Sequence, residues 1–198
     1  MKRPLVLASA SPRRVQLLRE AGHAFEVLAP HGVEEAHDPD LTPEALTVEN
    51  ARRKAVAIAA QRPEALVLGA DTLVYVDGLP LGKPADLEEA AAMLRRLSGR
   101  AHEVCTGVFL AWDAGRAGRG FHVVTEVIFK TLSDADIAAY HARVDPLDKA
   151  GAYGIQEHGD RIIAGHEGSW TNVMGLPMER LAEELAAQLR RGRSEMED

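Results

Sequence analysis

Short apolar runs alternate with helix signals along most of this chain, and that alternation constrains the fold more than any other feature. Pro4-Leu-Val-Leu-Ala-Ser9 has the length and character of a buried strand. Ser11 as N-cap and Pro12 at the first helical position then open a helix that ends at Gly22. Ala24 to Ala29 reads as a second strand, and Pro30 to Leu41 as a polar loop. Thr42-Pro43 starts a long helix that Pro63 stops near Arg62. Ala65 to Ala70 is a third apolar strand, interrupted by Asp71 and Thr72 and resuming through Val76 into a hairpin turn at Asp77-Gly78.

Further along, Asp86 with Glu89 reads as a capping box on a helix ending at Ser98-Gly99. Glu103 to Trp112 and His122 to Thr131 read as long strands joined by a Gly-rich turn and paired antiparallel. Ser133 caps a helix to about Arg143, a Gly-rich loop follows from Asp145 to Gly159, and Met178 to Arg190 is amphipathic. Strands linked partly by helices and partly by hairpins predict an α/β fold with a mixed, twisted sheet and flanking helices. No repeat or linker breaks residues 1–190, which are expected to form one domain, with 191–198 a fraying polar tail.

Composition narrows the function classes. The 198 residues carry a net charge of −7, so no overall positive field exists to hold a polyanion, and nucleic acid is excluded as a main partner. No run approaches the roughly 20 apolar residues that span a bilayer, and the first residues lack the apolar core of a signal peptide, so no membrane role and a cytoplasmic location are expected. The single cysteine, Cys105, sits mid-strand as a small hydrophobe and rules out an internal disulfide framework. The eight histidines lack metal-site spacing, and neither a Walker loop nor a Gly-x-Ser-x-Gly elbow is present.

Several segments can carry chemistry. Ala8-Ser-Ala-Ser-Pro-Arg-Arg14 delivers the hydroxyls of Ser9 and Ser11 and the guanidiniums of Arg13 and Arg14 to a helix N-terminus, which favours a phosphate; a plain cap with solvated arginines is the alternative. Asp71, after an apolar strand, can hold Mg²⁺ or accept a proton from water, or can simply terminate the strand. Lys83, before Pro84, projects an ammonium suited to phosphate or to solvent. Glu34 and Glu35 offer oxygen ligands or a solvated acidic pair, and Lys54 lies on a helix with a buried face. Gln156, in the long loop, has the donors and acceptor to read a nucleobase edge.

In order, Leu7-Ala-Ser-Ala-Ser-Pro-Arg-Arg14, Gly69-Ala-Asp-Thr72, Leu81-Gly-Lys-Pro84, Leu97-Ser-Gly-Arg-Ala-His102, Asp148-Lys-Ala-Gly-Ala-Tyr-Gly-Ile-Gln156, Gly168-Ser169 and Asn172-Val-Met-Gly-Leu-Pro177 strongly resemble the Maf family of nucleoside triphosphate pyrophosphatases. The resemblance covers about residues 5 to 185. It implies a fold similar to that of the inosine triphosphate pyrophosphatases, two lobes around a nucleotide cleft, and the branch acting on dTTP and UTP, with modified uridine triphosphates a further substrate class. Carried over, it makes Asp71 the proton acceptor and has Arg13, Thr72 and Gln156 set base specificity. Ser9, Ser11, Arg14, Lys54 and Lys83 become substrate-binding residues, and Glu35 with Asp71 ligates a divalent cation, Mg²⁺ or Mn²⁺. A homodimer is also implied. Two positions depart from the family pattern: Glu157 stands where a Gly is usual and Trp170 where a Tyr is. A regulator that senses a nucleotide or binds the division machinery is the alternative from another class, and a structural domain with incidental phosphate affinity a third.

Overall fold

The computed structural model describes residues 3–38 and 40–194. Strand β1 (Leu5–Ala8) leads into helix α1 (Pro12–Glu20), β2 (Phe25–Val27), α2 (Pro43–Ala59) and β3 (Leu66–Val76). Next come β4 (Leu79–Leu81), α3 (Leu87–Leu97), β5 (Ala101–Trp112), β6 (Ala117–Phe129) and α4 (Asp134–His141). The chain closes with β7 (Ile163–Glu167), α5 (Trp170–Val173) and α6 (Met178–Ser194). The strands form one sheet in the order β2-β1-β3-β5-β6-β7, with β4 paired to β3. It is mixed: β1 runs parallel to β2 and β3, whereas β4 is antiparallel to β3 and β7 to β6. The expected α/β class with flanking helices is therefore observed.

The chain divides into two compact units. One holds the described residues up to Asp71, Thr106–His122 and those from Gly175 onward; the other holds Thr72–Cys105 and Val123–Met174. In the first, α2 packs its small buried face, Ala51, Ala55 and Ala59, onto the sheet with Val6, Ala8, Val67 and Ala111. The approach is backbone to backbone: a Cβ on Gly69 would lie 2.2 Å from the Ala51 carbonyl oxygen, and one on Gly107 would lie 2.2 Å from the Thr47 carbonyl carbon. No larger residue fits at either place. In the second unit, Val74, Leu94, Leu97, Val127, Phe129, Ile137, Tyr140, Tyr153 and Ile162 form the largest core cluster. His102 joins it, edge to face with Phe129 and Tyr153.

Four local expectations change. β3 runs unbroken through Asp71 and Thr72, because the Asp71 side chain finds partners on α2 and its backbone stays in the ladder. Ser11 stands at the N-cap of α1 without a side-chain capping bond. Asp86 accepts from the Glu89 N–H, but the Glu89 carboxylate reaches the N–H of Ala85 rather than that of Asp86. Helix α6 extends to Ser194, past the expected start of the tail, and residues 195–198 lie outside those described. The hairpin at Asp77-Gly78 forms as expected, with both residues at positive φ (56° and 72°), as a type I′ turn requires.

Candidate functional site

In the first unit, β1 ends at Ala8 opposite Gly69 of β3, and β3 runs on past the end of β1 to Asp71. Asp71 is 6 % exposed. A carboxylate that deep must be paired, and both of its oxygens are: Oδ1 accepts from the Lys54 ammonium at 2.6 Å and Oδ2 from the Asn50 amide at 3.4 Å. Both partners come from α2, one turn apart, so the helix that rests on Gly69 also supplies the groups that hold Asp71. Each carboxylate oxygen keeps a further lone pair, which leaves Asp71 able to accept a proton.

Lys54 makes a second ion pair, to Glu35 Oε1 at 2.6 Å. Two carboxylates thus converge on one nitrogen, Asp71 from the strand and Glu35 from the polar loop. Asn50 steadies that loop: its Oδ1 accepts from the Ala36 N–H at 2.6 Å, and its amide donates to the Ala36 carbonyl at 3.4 Å. Arg53 adds a bond to the Glu34 carbonyl at 3.2 Å. Among the described residues no group of three His, Cys, Asp or Glu side chains stands ready for a metal ion. Glu35 and Asp71 each bring a hard oxygen to the Lys54 ammonium, and one or two such carboxylates beside substrate phosphates are the protein contribution typical of a Mg²⁺ site.

The start of α1 lies in the same unit. Ser9 is buried, and its Oγ accepts from the Ser11 N–H and from Arg14 Nη1, each at 3.2 Å. Arg14 also donates from Nη1 to the Ala70 carbonyl at 2.9 Å and from Nε to the Gly175 carbonyl at 2.8 Å. Burial lowers its pKa, while Asp71, Arg13 and Glu35 act as neighbouring charges, the two carboxylates supporting its cationic form. Arg14 therefore fastens the residue before Asp71 to the start of α1 and to Gly175. Arg13, beside it, is half-buried in the first turn.

Thr72, Lys83 and Gln156 belong to the second unit. Thr72 is half-buried in β3, and Lys83 is exposed on the extended segment after β4. The Gly82 carbonyl accepts from the Gly151 N–H at 3.0 Å, which ties the Lys83 segment to the loop bearing Gln156. Gln156 is exposed on a turn closed by the Glu157 N–H donating to the Gly154 carbonyl at 3.0 Å.

Sequence reasoning missed several of these groups. Asn50 carries no motif of its own and is identified only by what it touches. Lys149, one of only five lysines among 23 basic residues, is buried at 4 % exposure. Asn172 donates to the Val104 carbonyl at 2.9 Å and to Thr125 Oγ1 at 3.0 Å, so Asn172 anchors α5 within the second unit.

Fold and site together define an α/β protein with a buried carboxylate held by a lysine beside a phosphate-suited helix start. The chain matches the family model described as Maf-like protein over residues 4–188, and it belongs to that family. It is 46% identical to the dTTP/UTP pyrophosphatase of Akkermansia muciniphila, over 88% of this chain and 91% of that protein. It is 49% identical to that of Moorella thermoacetica (92% and 93%) and 49% to that of Escherichia coli O157:H7 (88% and 87%). Among solved structures, the Ham1 protein of Staphylococcus aureus aligns with a TM-score of 0.48 at 17% identity, covering 79% of this chain and 90% of that one.

Proposed function

We propose that this protein hydrolyses dTTP and UTP, with modified uridine triphosphates a further substrate class, to the nucleoside monophosphate and pyrophosphate. The observation that carries the proposal is the buried Asp71 carboxylate held between Lys54 and Asn50, in a chain nearly half identical to proteins named for this activity. In the reaction, the oxygen of a water bonds to the α-phosphorus and the bond to the bridging oxygen breaks. Pyrophosphate leaves with that electron pair, and Asp71 takes the water's proton. Lys54 and Asn50 hold the carboxylate still while it does so, a matter of positioning rather than of new bonds.

Glu35 and Asp71 are the residues that would hold Mg²⁺ or Mn²⁺. When bound, such an ion neutralises charge gathering on the phosphates and makes a coordinated water more acidic. The Ser9 and Ser11 hydroxyls, Arg13 and Lys83 bind phosphate oxygens, and Arg14 keeps Ser9 and Ala70 in place for them. Thr72 and Gln156, together with Arg13, select the base. The cytoplasmic location expected from the sequence belongs to this proposal, as does assembly as a homodimer, which the family resemblance implies. Among the described residues no helix is long and apolar enough to cross a membrane.

The test is pyrophosphate release from dTTP, UTP, CTP, GTP and 7-methyl-GTP, with Mg²⁺ or with chelator. Metal-dependent release confined mainly to dTTP and UTP is expected. Silence across the panel from a folded protein would overturn the enzymatic reading in favour of a nucleotide-binding role.

A further inference from the structure

We infer that Lys149 and Glu157 are positioning residues that aim Gln156, and so set how strongly the protein prefers pyrimidine over purine triphosphates. The inference rests on the reading of Gln156 as the base-selecting residue and adds a device within the second unit that controls it. Lys149 Nζ is surrounded by three oxygens: the Asp145 carbonyl at 2.8 Å, Asp148 Oδ1 at 2.6 Å and Glu157 Oε2 at 3.1 Å. Asp145 lies at the entry of the loop and Glu157 directly after Gln156, so one buried ammonium fastens both ends of the segment.

The turn between them leaves little freedom. Ile155 is buried, the Glu157 N–H closes the turn on the Gly154 carbonyl, and the Gly154 N–H donates to the Tyr140 hydroxyl at 3.0 Å. A Cβ on Gly154 would meet Lys149 Cε at 3.0 Å and Glu157 Oε1 at 3.1 Å, so the lysine stem and the glutamate close over the glycine. Ala152 and His158, on either side, hold positive φ (63° and 56°), which non-glycine residues keep only where surrounding contacts impose it. Gln156 is then an exposed side chain on an immobilised corner. Glu157 also limits the cost of burying the Lys149 charge, since a buried ammonium that loses a partner seeks another arrangement. Removing Glu157 should therefore let the corner turn without touching Asp71 or its partners.

The experiment measures kcat and KM on dTTP, UTP and dGTP for wild type, Glu157→Ala, Glu157→Asp, Gln156→Ala and the Glu157→Ala/Gln156→Ala pair. For Glu157→Ala, KM on dTTP and UTP should rise roughly 5- to 20-fold with kcat within about twofold, dGTP changing little. Glu157→Asp should recover much of the loss, and Glu157→Ala should add nothing once Gln156 is gone. If Gln156→Ala narrows the preference while Glu157→Ala leaves it as in wild type, the strap is wrong and the reading of Gln156 survives. Additive effects of the two changes, or loss of kcat on every base without rescue by Asp, would also overturn it. If Gln156→Ala keeps the preference, the base-reading assignment fails and this inference with it. Should Glu157→Ala not fold, Glu157→Gln removes the charge while keeping the shape.

Discussion

Lys54 joins two carboxylates that arrive from separate parts of the chain, and nothing in its immediate sequence announces the junction. The same scale holds a titratable group outside the site. His102 is 3 % exposed, its Nε2 lies 2.7 Å from the Tyr153 hydroxyl, and its Nδ1 has no hydrogen-bond partner. Burial pulls its pKa down from 6.5 to about 4. The folded form therefore keeps the ring neutral where the unfolded chain would protonate it. Stability from this residue is fully present above pH 6.5, falls as pH drops from there to about 4, and changes no further below, a span worth about 3 kcal/mol. Urea unfolding at pH 7, 5.5 and 4.5 should show a steeper loss in wild type than in His102→Gln. Parallel losses in the two proteins would contradict the burial argument.

At the scale of elements, the site depends on how closely α2 lies on the sheet. Gly69 and Gly107 admit the helix backbone, and α2 then places Asn50 and Lys54 on Asp71. Gly69→Ala should force α2 outward and destabilise the protein by about 1–3 kcal/mol, as overpacking does, and turnover should fall with it. A urea midpoint equal to wild type would show that the helix yields freely. Most elements were legible in the sequence, because Pro, Gly and capping residues mark their ends: α1, α2, α3 and α4 fall close to their expected places. β3 departs from the sequence expectation at Asp71, because a carboxylate in an apolar run resembles a strand end when its partners, earlier in the chain on α2, are out of view. β7 has no clear sequence signal: Ile163-Ala-Gly-His-Glu167 is short and has two polar residues, and its pairing with β6 rather than its composition makes it a strand.

Across the whole molecule, three of the four boundaries between the two compact units fall inside strands, Asp71/Thr72 in β3, Cys105/Thr106 in β5 and His122/Val123 in β6, and the fourth, Met174/Gly175, falls in the turn after α5. Boundaries inside strands carry no linker, no change of composition and no cluster of turn residues, so they left no trace in the sequence. The candidate site residues are legible for a different reason. Ser9, Arg13, Arg14, Asp71, Lys83, Lys149 and Gln156 stand in runs whose order resembles a family, whereas Asn50 and the partners of Lys149 show themselves only through contacts. Of these groups, Asp71 is the one the proposed reaction assigns to take the proton of the attacking water. The most direct test is pyrophosphate release from dTTP by Asp71→Asn, measured beside its thermal unfolding. The account predicts a protein that melts cooperatively, with kcat lowered by about 10²- to 10⁴-fold. An Asp71→Asn protein that keeps near wild-type kcat would contradict it.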